Sequence, residues 1–254
     1  MSPQVVCITN IYNEEYLLPF WLEHHKNMFD FGIIVNYRCT DRSLEICKEI
    51  CPHWKIINTA NPDFDIIANT NEFMHIEEQL RGCFKIILNT TEFLVPFKPL
   101  KELLQEYNNN QIALNIKTYS PHSLNEYYPK DVKELFKNIL NDDVKIDDKD
   151  RCVRVLHNYS NGVYNIGRHG TLLPSENTDD ACVLWMGFYP LNERLLARKL
   201  QIGNKMTPRD LARGWGGQHV WSKETMLEKN KERYENGKKL QDVSTNLYNF
   251  LHNL

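Results

Sequence analysis

The sequence predicts an α/β protein built on a mostly parallel, twisted sheet flanked by helices, with further helices at the carboxyl end. Two observations carry this. Strand-length apolar runs alternate with stretches of helical periodicity through residues 1–98, the β-α-β series that makes successive strands lie parallel. The runs also stop abruptly at small polar residues: Lys85-Ile86-Ile87-Leu88 gives way to Asn89-Thr90-Thr91-Glu92 before the chain turns apolar again at Phe93. A buried strand that delivers polar groups at its carboxyl end has this form, and ligands of α/β sheets bind at that end.

Each element follows in order. Gln4–Thr9 reads as the first strand and Asn10–Asn13 as the loop after it. Leu18, Trp21, Leu22, His25 and Phe29 recur at helical spacing across Glu14–Phe29, and Glu14, Glu15 and Pro19 suit the first turns of a helix. Phe31–Tyr37 is a second strand, and Asp41 or Ser43 caps a helix running to Cys51. Trp54–Thr59, Thr70–Gly82 and Phe84–Leu88 give the third strand, third helix and fourth strand. Beyond them, Leu100–Tyr107 reads as a short helix, Gln111–Thr118 as a strand and Asp131–Leu140 as an amphipathic helix. Asn141–Asp150 is acidic and reads as an exposed loop. Arg151–His157 and Ala181–Phe188 are strands; Leu191–Ile202, Ser222–Lys239 and Asp242–Leu251 are helices.

Composition narrows the class. The chain has 254 residues, enough for one large α/β domain whose core needs no disulfide. A net charge of −3 with no large block of one sign argues against a general nucleic-acid or membrane surface. No apolar run reaches the roughly 18 residues of a membrane span, and the first strand starts too early for a signal peptide. Cys7, Cys83 and Cys182 lie in apolar runs and no C-x-x-C pair occurs, which favours reduced core thiols and a cytoplasmic location.

Five polar clusters are candidates for chemistry. Thr9-Asn10-Ile11-Tyr12-Asn13-Glu14 follows the first strand and opens a helix, where backbone N–H groups and short polar side chains face the sheet edge. Asn36 to Ser43, with Asp41, follows the second strand and serves either a ribose or base or simply the helix cap. Asn89-Thr90-Thr91-Glu92 follows the fourth. Three polar strand ends on one edge are what a nucleotide pocket requires. Glycines bracket Arg168-His169 in the fourth cluster, and Gly214-Trp215-Gly216-Gly217-Gln218-His219 through Trp221 forms the fifth, where Trp215 or Trp221 is placed to stack on a sugar or base. Each also has a purely structural reading as a cap or tight turn.

Taken in order, these motifs resemble a GT-A nucleotide-sugar glycosyltransferase, in the branch related to the large inverting family two. Asn13-Glu14-Glu15, Pro19, Trp21-Leu22 and His24-His25 are similar to that branch's opening segment. Asn36–Ser43 is similar to its Asn-x-Ser-x-Asp-x-Ser loop, with Asp41 at the aspartate. Asn89–Leu94 resembles its metal-binding Asp-x-Asp-Glu-Phe segment with Glu92 and Phe93 kept, and His219 to Lys223 resembles its later His-Tyr-x-x-Lys-Ser helix start. The resemblance implies a GT-A (Rossmann-like) domain over 1–221, with a nucleotide half at about 1–98, an acceptor half at about 99–221 and a helical extension at 222–254. It implies a nucleotide site at Thr9, Asn10, Asn13, Glu14, Asn36, Asp41, Asn89 and Thr91, and a diphosphate flanked by Arg168, His219 and Lys223. It implies transfer of a hexosyl or pentosyl group, with inversion favoured, from a nucleotide-sugar, UDP-linked, to a hydroxyl of a glycan or small acceptor. A catalytically inactive binder of nucleotide-sugar or glycan is the other reading.

Both aspartates of the metal segment are replaced, by Asn89 and Thr91. A leaving diphosphate needs a cation, normally Mg²⁺ or Mn²⁺ held by carboxylates. One lost charge at ~4 Å is worth ~4 kcal/mol at an effective dielectric of 20. Either a weak Mn²⁺ or Mg²⁺ site survives on Glu92 and His219, or Arg168, His169, Arg198, Lys199 and Lys223 replace the metal. For deprotonating the acceptor, Glu92, Asp179, Asp180, Glu193 and His169 are the candidates in the chain.

Overall fold

A computed structural model describes residues 2–61, 63–107, 110–148 and 153–254. The first half follows the strand–helix alternation of the sequence: β1 (Val5–Ile11), α1 (Leu18–His25), β2 (Phe31–Asn36), α2 (Ser43–Ile50), β3 (Lys55–Asn58), α3 (Ile66–Glu78) and β4 (Phe84–Ile87). The second half adds β5 (Glu92–Pro96), α4 (Leu100–Gln105), β6 (Ala113–Ser123), α5 (Val132–Lys137), β7 (Val144–Asp147), β8 (Val153–His157) and β9 (Glu176–Trp185). It ends in α6 (Glu193–Ile202), α7 (Pro208–Ala212), α8 (Lys223–Asn236), α9 (Leu240–Val243) and α10 (Thr245–His252).

The sheet runs β3-β2-β1-β4-β8-β6-β9-β5, with β7 paired to β6. β3, β2, β1 and β4 are mutually parallel, and the strand order reverses between β1 and β4. β8 runs antiparallel to β4 and β6, while β9 lies parallel to β6 and antiparallel to β5. This is a Rossmann-like α/β sheet flanked by helices, with its switch point between β1 and β4. β1 is apolar on both faces because both are covered: Val5, Cys7 and Ile11 pack with α1 and α2, and Val6 and Ile8 with Phe73 of α3.

Several boundaries differ from the sequence expectation for local reasons. Helix three starts four residues before Thr70, because Asp65 accepts from Ile67 N and Ala68 N at 3.1 and 2.9 Å and fixes its first turn. The regular part of helix one is Leu18–His25, with Pro19 in its first turn, where the missing N–H has no helical partner to lose. Residues 92–96, read only as returning apolar character, form an edge strand on β9. The segment read as an exposed acidic loop contains β7, where Val144, Ile146 and Asp147 are buried. Asp150 at the end of that segment, and Arg151 at the start of the next expected strand, lie outside the described residues. Among the described residues, no helix is long and apolar enough to cross a membrane.

Candidate active site

A cavity of about 750 Å³ opens at the carboxyl ends of β1 and β4. Asn10 reaches it from β1, Tyr12 and Glu14 from the loop after β1, and Asn89 to Glu92 from the β4–β5 link and the start of β5. Tyr12 meets Phe64 edge-on, with ring centres 5.7 Å apart, and Lys205 Nζ lies 4.8 Å from the Tyr12 ring. Residues 203–221 cross over this end of the sheet and are tied to it. Phe64 N donates to Lys205 O at 2.7 Å, and Asp210 Oδ2 accepts from Ile66 N at 2.7 Å. The cavity is lined by five Arg and Lys side chains against three carboxylates, so its net character is cationic.

One cationic wall is built around Glu92. This carboxylate is 2% exposed, and Arg154 of β8 grips both its oxygens, Nε donating to Oε2 at 2.7 Å and Nη2 donating to Oε1. Asn89 adds its backbone N–H at 2.8 Å and its amide at 3.0 Å. Burial alone would push the Glu92 carboxyl up; the Arg154 guanidinium and the Asn89 N–H outweigh it and hold the carboxyl below its ordinary value. Arg154 also donates to Arg168 O at 2.8 Å and to His169 Nδ1 at 3.1 Å. That bond assigns the remaining hydrogen of a neutral His169 to Nε2. Burial, then Arg154, holds the imidazole down at about 4, so His169 is a neutral donor rather than a base at physiological pH.

The Arg168 turn is strained into place. Gly167 has φ +79° and Arg168 itself +59°, a left-handed conformation unusual for a non-glycine residue. Its guanidinium stacks 4.3 Å from the Phe73 ring centre and donates to Asn69 and Asn89 at 3.2 and 3.0 Å. A buried network fixes the preceding loop: Glu77 accepts from Gly162 N at 2.8 Å and from the Tyr164 hydroxyl at 2.6 Å, with His157 Nε2 at 3.0 Å.

The opposite wall comes from α6, α8 and the Trp-Gly loop. Arg198 pairs with Glu14 at 2.5 and 2.6 Å. Lys199 sits 4.1 Å from the Phe188 ring centre and Arg233 4.9 Å from the same ring. Burial, then Arg198 and Arg233, brings the Lys199 ammonium down to about 7. His219 is depressed to about 4 by burial and then Lys199 and Arg198.

The structure therefore brings Asn10, Glu14, Asn89, Thr91, Glu92, Arg168, His169 and His219 to one cavity. It does not bring all the expected residues there. Thr9 is fully buried in β1. Asn36 is spent on Asn58 and Cys39 N, at 2.9 Å each. Asn13 and Asp41 line a separate cleft; the N-cap of α2 is Arg42 rather than Asp41 or Ser43, and Asp41 accepts from Ser43 N at 3.0 Å and Glu15 N at 3.1 Å, which ties the start of α2 to the turn before α1. Asp180 pairs with Lys98 at 3.1 Å and Lys223 with Glu193 at 2.8 Å, both outside the cavity lining. Arg154, Asp147 and Arg233 line the cavity without having been expected there. Arg154 carried a signal, a charge on the buried face of an otherwise apolar strand. Asp147 did not, since acidic neighbours disguised its strand.

These donors do not fit a protein-built divalent-cation site. Among the described residues no group of three or more His, Cys, Asp or Glu side chains converges on a point. Glu92 is already neutralised by Arg154, and His219 stands among cations. Buried polar atoms without a partner among the described residues do reach the cavity: Asn10 Oδ1 and Thr118 Oγ1.

The α/β sheet thus carries a cationic, aromatic-lined cavity at its switch point, the place where ligands of such sheets bind. No family model and no curated protein matches the sequence. Weak partial overlaps exist with solved structures. TarS of S. aureus is 17% identical over 50% of this chain and 23% of its own, with a TM-score of 0.35. Glucosyl-3-phosphoglycerate synthase from Mycobacterium tuberculosis, solved with Mn²⁺ and UDP, is 12% identical over 46% of this chain and 44% of its own, with a TM-score of 0.33. CMP:2-keto-3-deoxy-manno-octonic acid synthetase is 10% identical over 61% and 71%, with a TM-score of 0.31. The chain thus spans less than half of the first two.

Proposed function

We propose that the protein is a glycosyltransferase that moves a sugar from a nucleotide-sugar donor, UDP-linked, to a hydroxyl acceptor. The observation that carries this reading is Arg168, presented by a left-handed turn and held by Asn69, Asn89 and the Phe73 ring, at the carboxyl end of β4 in the same cavity as Tyr12 and Asn10. Tyr12 supplies a ring for the base to stack on, and Asn10 Oδ1 an acceptor for a base N–H. Arg168 meets the diphosphate, and the neutral His169 Nε2–H adds a donor beside it. These groups stabilise the leaving diphosphate by preorganised charge and hydrogen bonds, the task a metal performs elsewhere. The sequence substitution and the ion pair agree here: Asn89 and Thr91 withdraw two charges, and Arg154 occupies the one carboxylate that is kept.

In this reading residues 1–98 hold the nucleotide and 99–221 the transferred sugar and acceptor, with 222–254 contributing Arg233 to the cavity wall. The test is nucleotide release from a panel of nucleotide-sugars, with Mn²⁺ or with EDTA. Release of UDP from one donor, unaffected by EDTA, is the expected result. Release that requires Mn²⁺ removes the arginine mechanism, and neither binding nor release across the panel removes the transferase reading.

A further inference from the structure

Lys199 is 6% exposed, yet it lines the cavity and, among the described residues, makes no hydrogen bond and no ion pair. Its contacts are ring faces, Phe188 at 4.1 Å and Trp185 at 5.7 Å. The same two rings carry the Arg233 guanidinium, at 4.9 and 5.5 Å. The acidic group whose field reaches Lys199, Glu14, is already gripped by Arg198. An ammonium that has lost its water regains only part of that hydration from an aromatic face. A second cation on the same rings raises the cost further. The other wall of the cavity is different: there Arg154 is matched by Glu92 in a bidentate pair. Gly187, Trp185 and Lys199 line the cavity together, which puts the ammonium on the surface that an anion in the cavity meets.

We propose that Lys199, with Arg233 and His219 beside it, is a subsite for a second negative group of the substrate, a carboxylate or phosphate distinct from the nucleotide diphosphate. The inference rests on the nucleotide-sugar reading of the cavity and adds to it that either the transferred sugar or the acceptor is acidic. The shared chemistry is an oxyanion received by the Lys199 ammonium, the strong charge-assisted form of hydrogen bond. An acidic donor sugar and a phosphorylated acceptor are the two sources.

Calorimetric titration separates them. UDP-glucuronate against UDP-glucose tests the donor; glucose 6-phosphate against glucose, with UDP present, tests the acceptor. In one arm the anionic probe binds about 10- to 100-fold more tightly than its neutral counterpart. That preference is lost in Lys199→Met and largely retained in Lys199→Arg, while affinity for UDP alone stays within about twofold in both. Removal of an unpaired buried charge does not unfold the chain, and a Lys199→Met melting temperature at or above that of the parent certifies the variant. UDP binding with no anionic preference in either arm overturns the subsite and leaves the nucleotide reading standing. An equal loss for anionic and neutral probes in Lys199→Met overturns it also. Failure of UDP itself to bind overturns the nucleotide reading, and the subsite is then decided by glucose 6-phosphate against glucose alone.

Discussion

The two walls of the cavity hold similar charge in opposite ways. On the β4 side, Arg154 is locked to Glu92, which also takes two N–H bonds from Asn89. On the α6 side, Lys199 is buried against rings with no hydrogen bond or ion pair among the described residues. A neutralised pair is architecture: it fixes the strand ends and positions Arg168. A buried charge without a counter-ion is stored cost, recovered when an anion arrives. The difference separates the wall that shapes the site from the wall that awaits part of the ligand.

The comparison breaks most visibly at Glu92. Glu92→Gln leaves the Arg154 guanidinium buried without its counter-charge, and loss of one partner of such a pair costs about 3–5 kcal/mol. Urea unfolding of the variant measures it. A loss below about 1 kcal/mol, typical of exposed pairs, would mean that water reaches the pair and that the wall is not locked.

Lys199→Met has the opposite sign. It removes a buried charge and gains stability on the order of 2 kcal/mol at neutral pH. The pH dependence gives the mechanism. The folded-state value of about 7 lies below the unfolded value of about 10.4, so between them the unfolded chain holds the extra proton and parent stability rises with pH. The advantage of the variant is therefore constant below pH ~7, shrinks as pH rises and disappears above about 10.4. Melting curves across that range check it, and an advantage that does not change with pH points to packing instead.

Gly167→Ala probes the β4 wall more gently. At φ +79° an added Cβ would lie 2.9 Å from His169 Nε2, so both the backbone and the imidazole resist it. A left-handed alanine costs roughly 1–2 kcal/mol, and the shifted turn carries Arg168 with it. UDP affinity should fall together with stability. Unchanged affinity would detach the Arg168 turn from the diphosphate.

The legibility of these regions in the sequence differs for the same reason. The parallel half was readable because each strand is an apolar run with a polar stop: Val5 to Ile8 before Asn10, and Phe84 to Leu88 before Asn89. Burial on both faces imposes that pattern locally. The far wall is assembled from α6, α8, β7 and a glycine loop, whose members meet only through tertiary packing, and nothing in the window around Asp147 or Arg233 reports on the other. Glu92 is the intermediate case. Its position was legible, its pairing was not, because Arg154 lies 62 residues away on an antiparallel neighbour of β4. Asp41 looked like a ligand residue for a similar reason. A carboxylate after a strand ties down a helix start or binds a ligand with the same sequence, and only its partners, Ser43 N and Glu15 N, distinguish the two.

Asp180 gives the smallest expected effect and the cleanest control. As a sequence it is an aspartate in the acceptor half, as plausible a base as any. In the fold its β9 position points it at Lys98, 3.1 Å away on the β5 side, with its side chain 49% exposed. A base must lie within hydrogen-bond reach of the proton that it removes, directly or through one water. Asp180 is outside the cavity lining, while both walls described above are within it. Exposed pairs of this kind contribute little to stability. Asp180→Asn should therefore leave nucleotide release, anion preference and melting temperature as they are in the parent. A large drop in release with unchanged folding would place the acceptor against β9 rather than between the two walls, and would move the reacting end of the cavity away from Lys199.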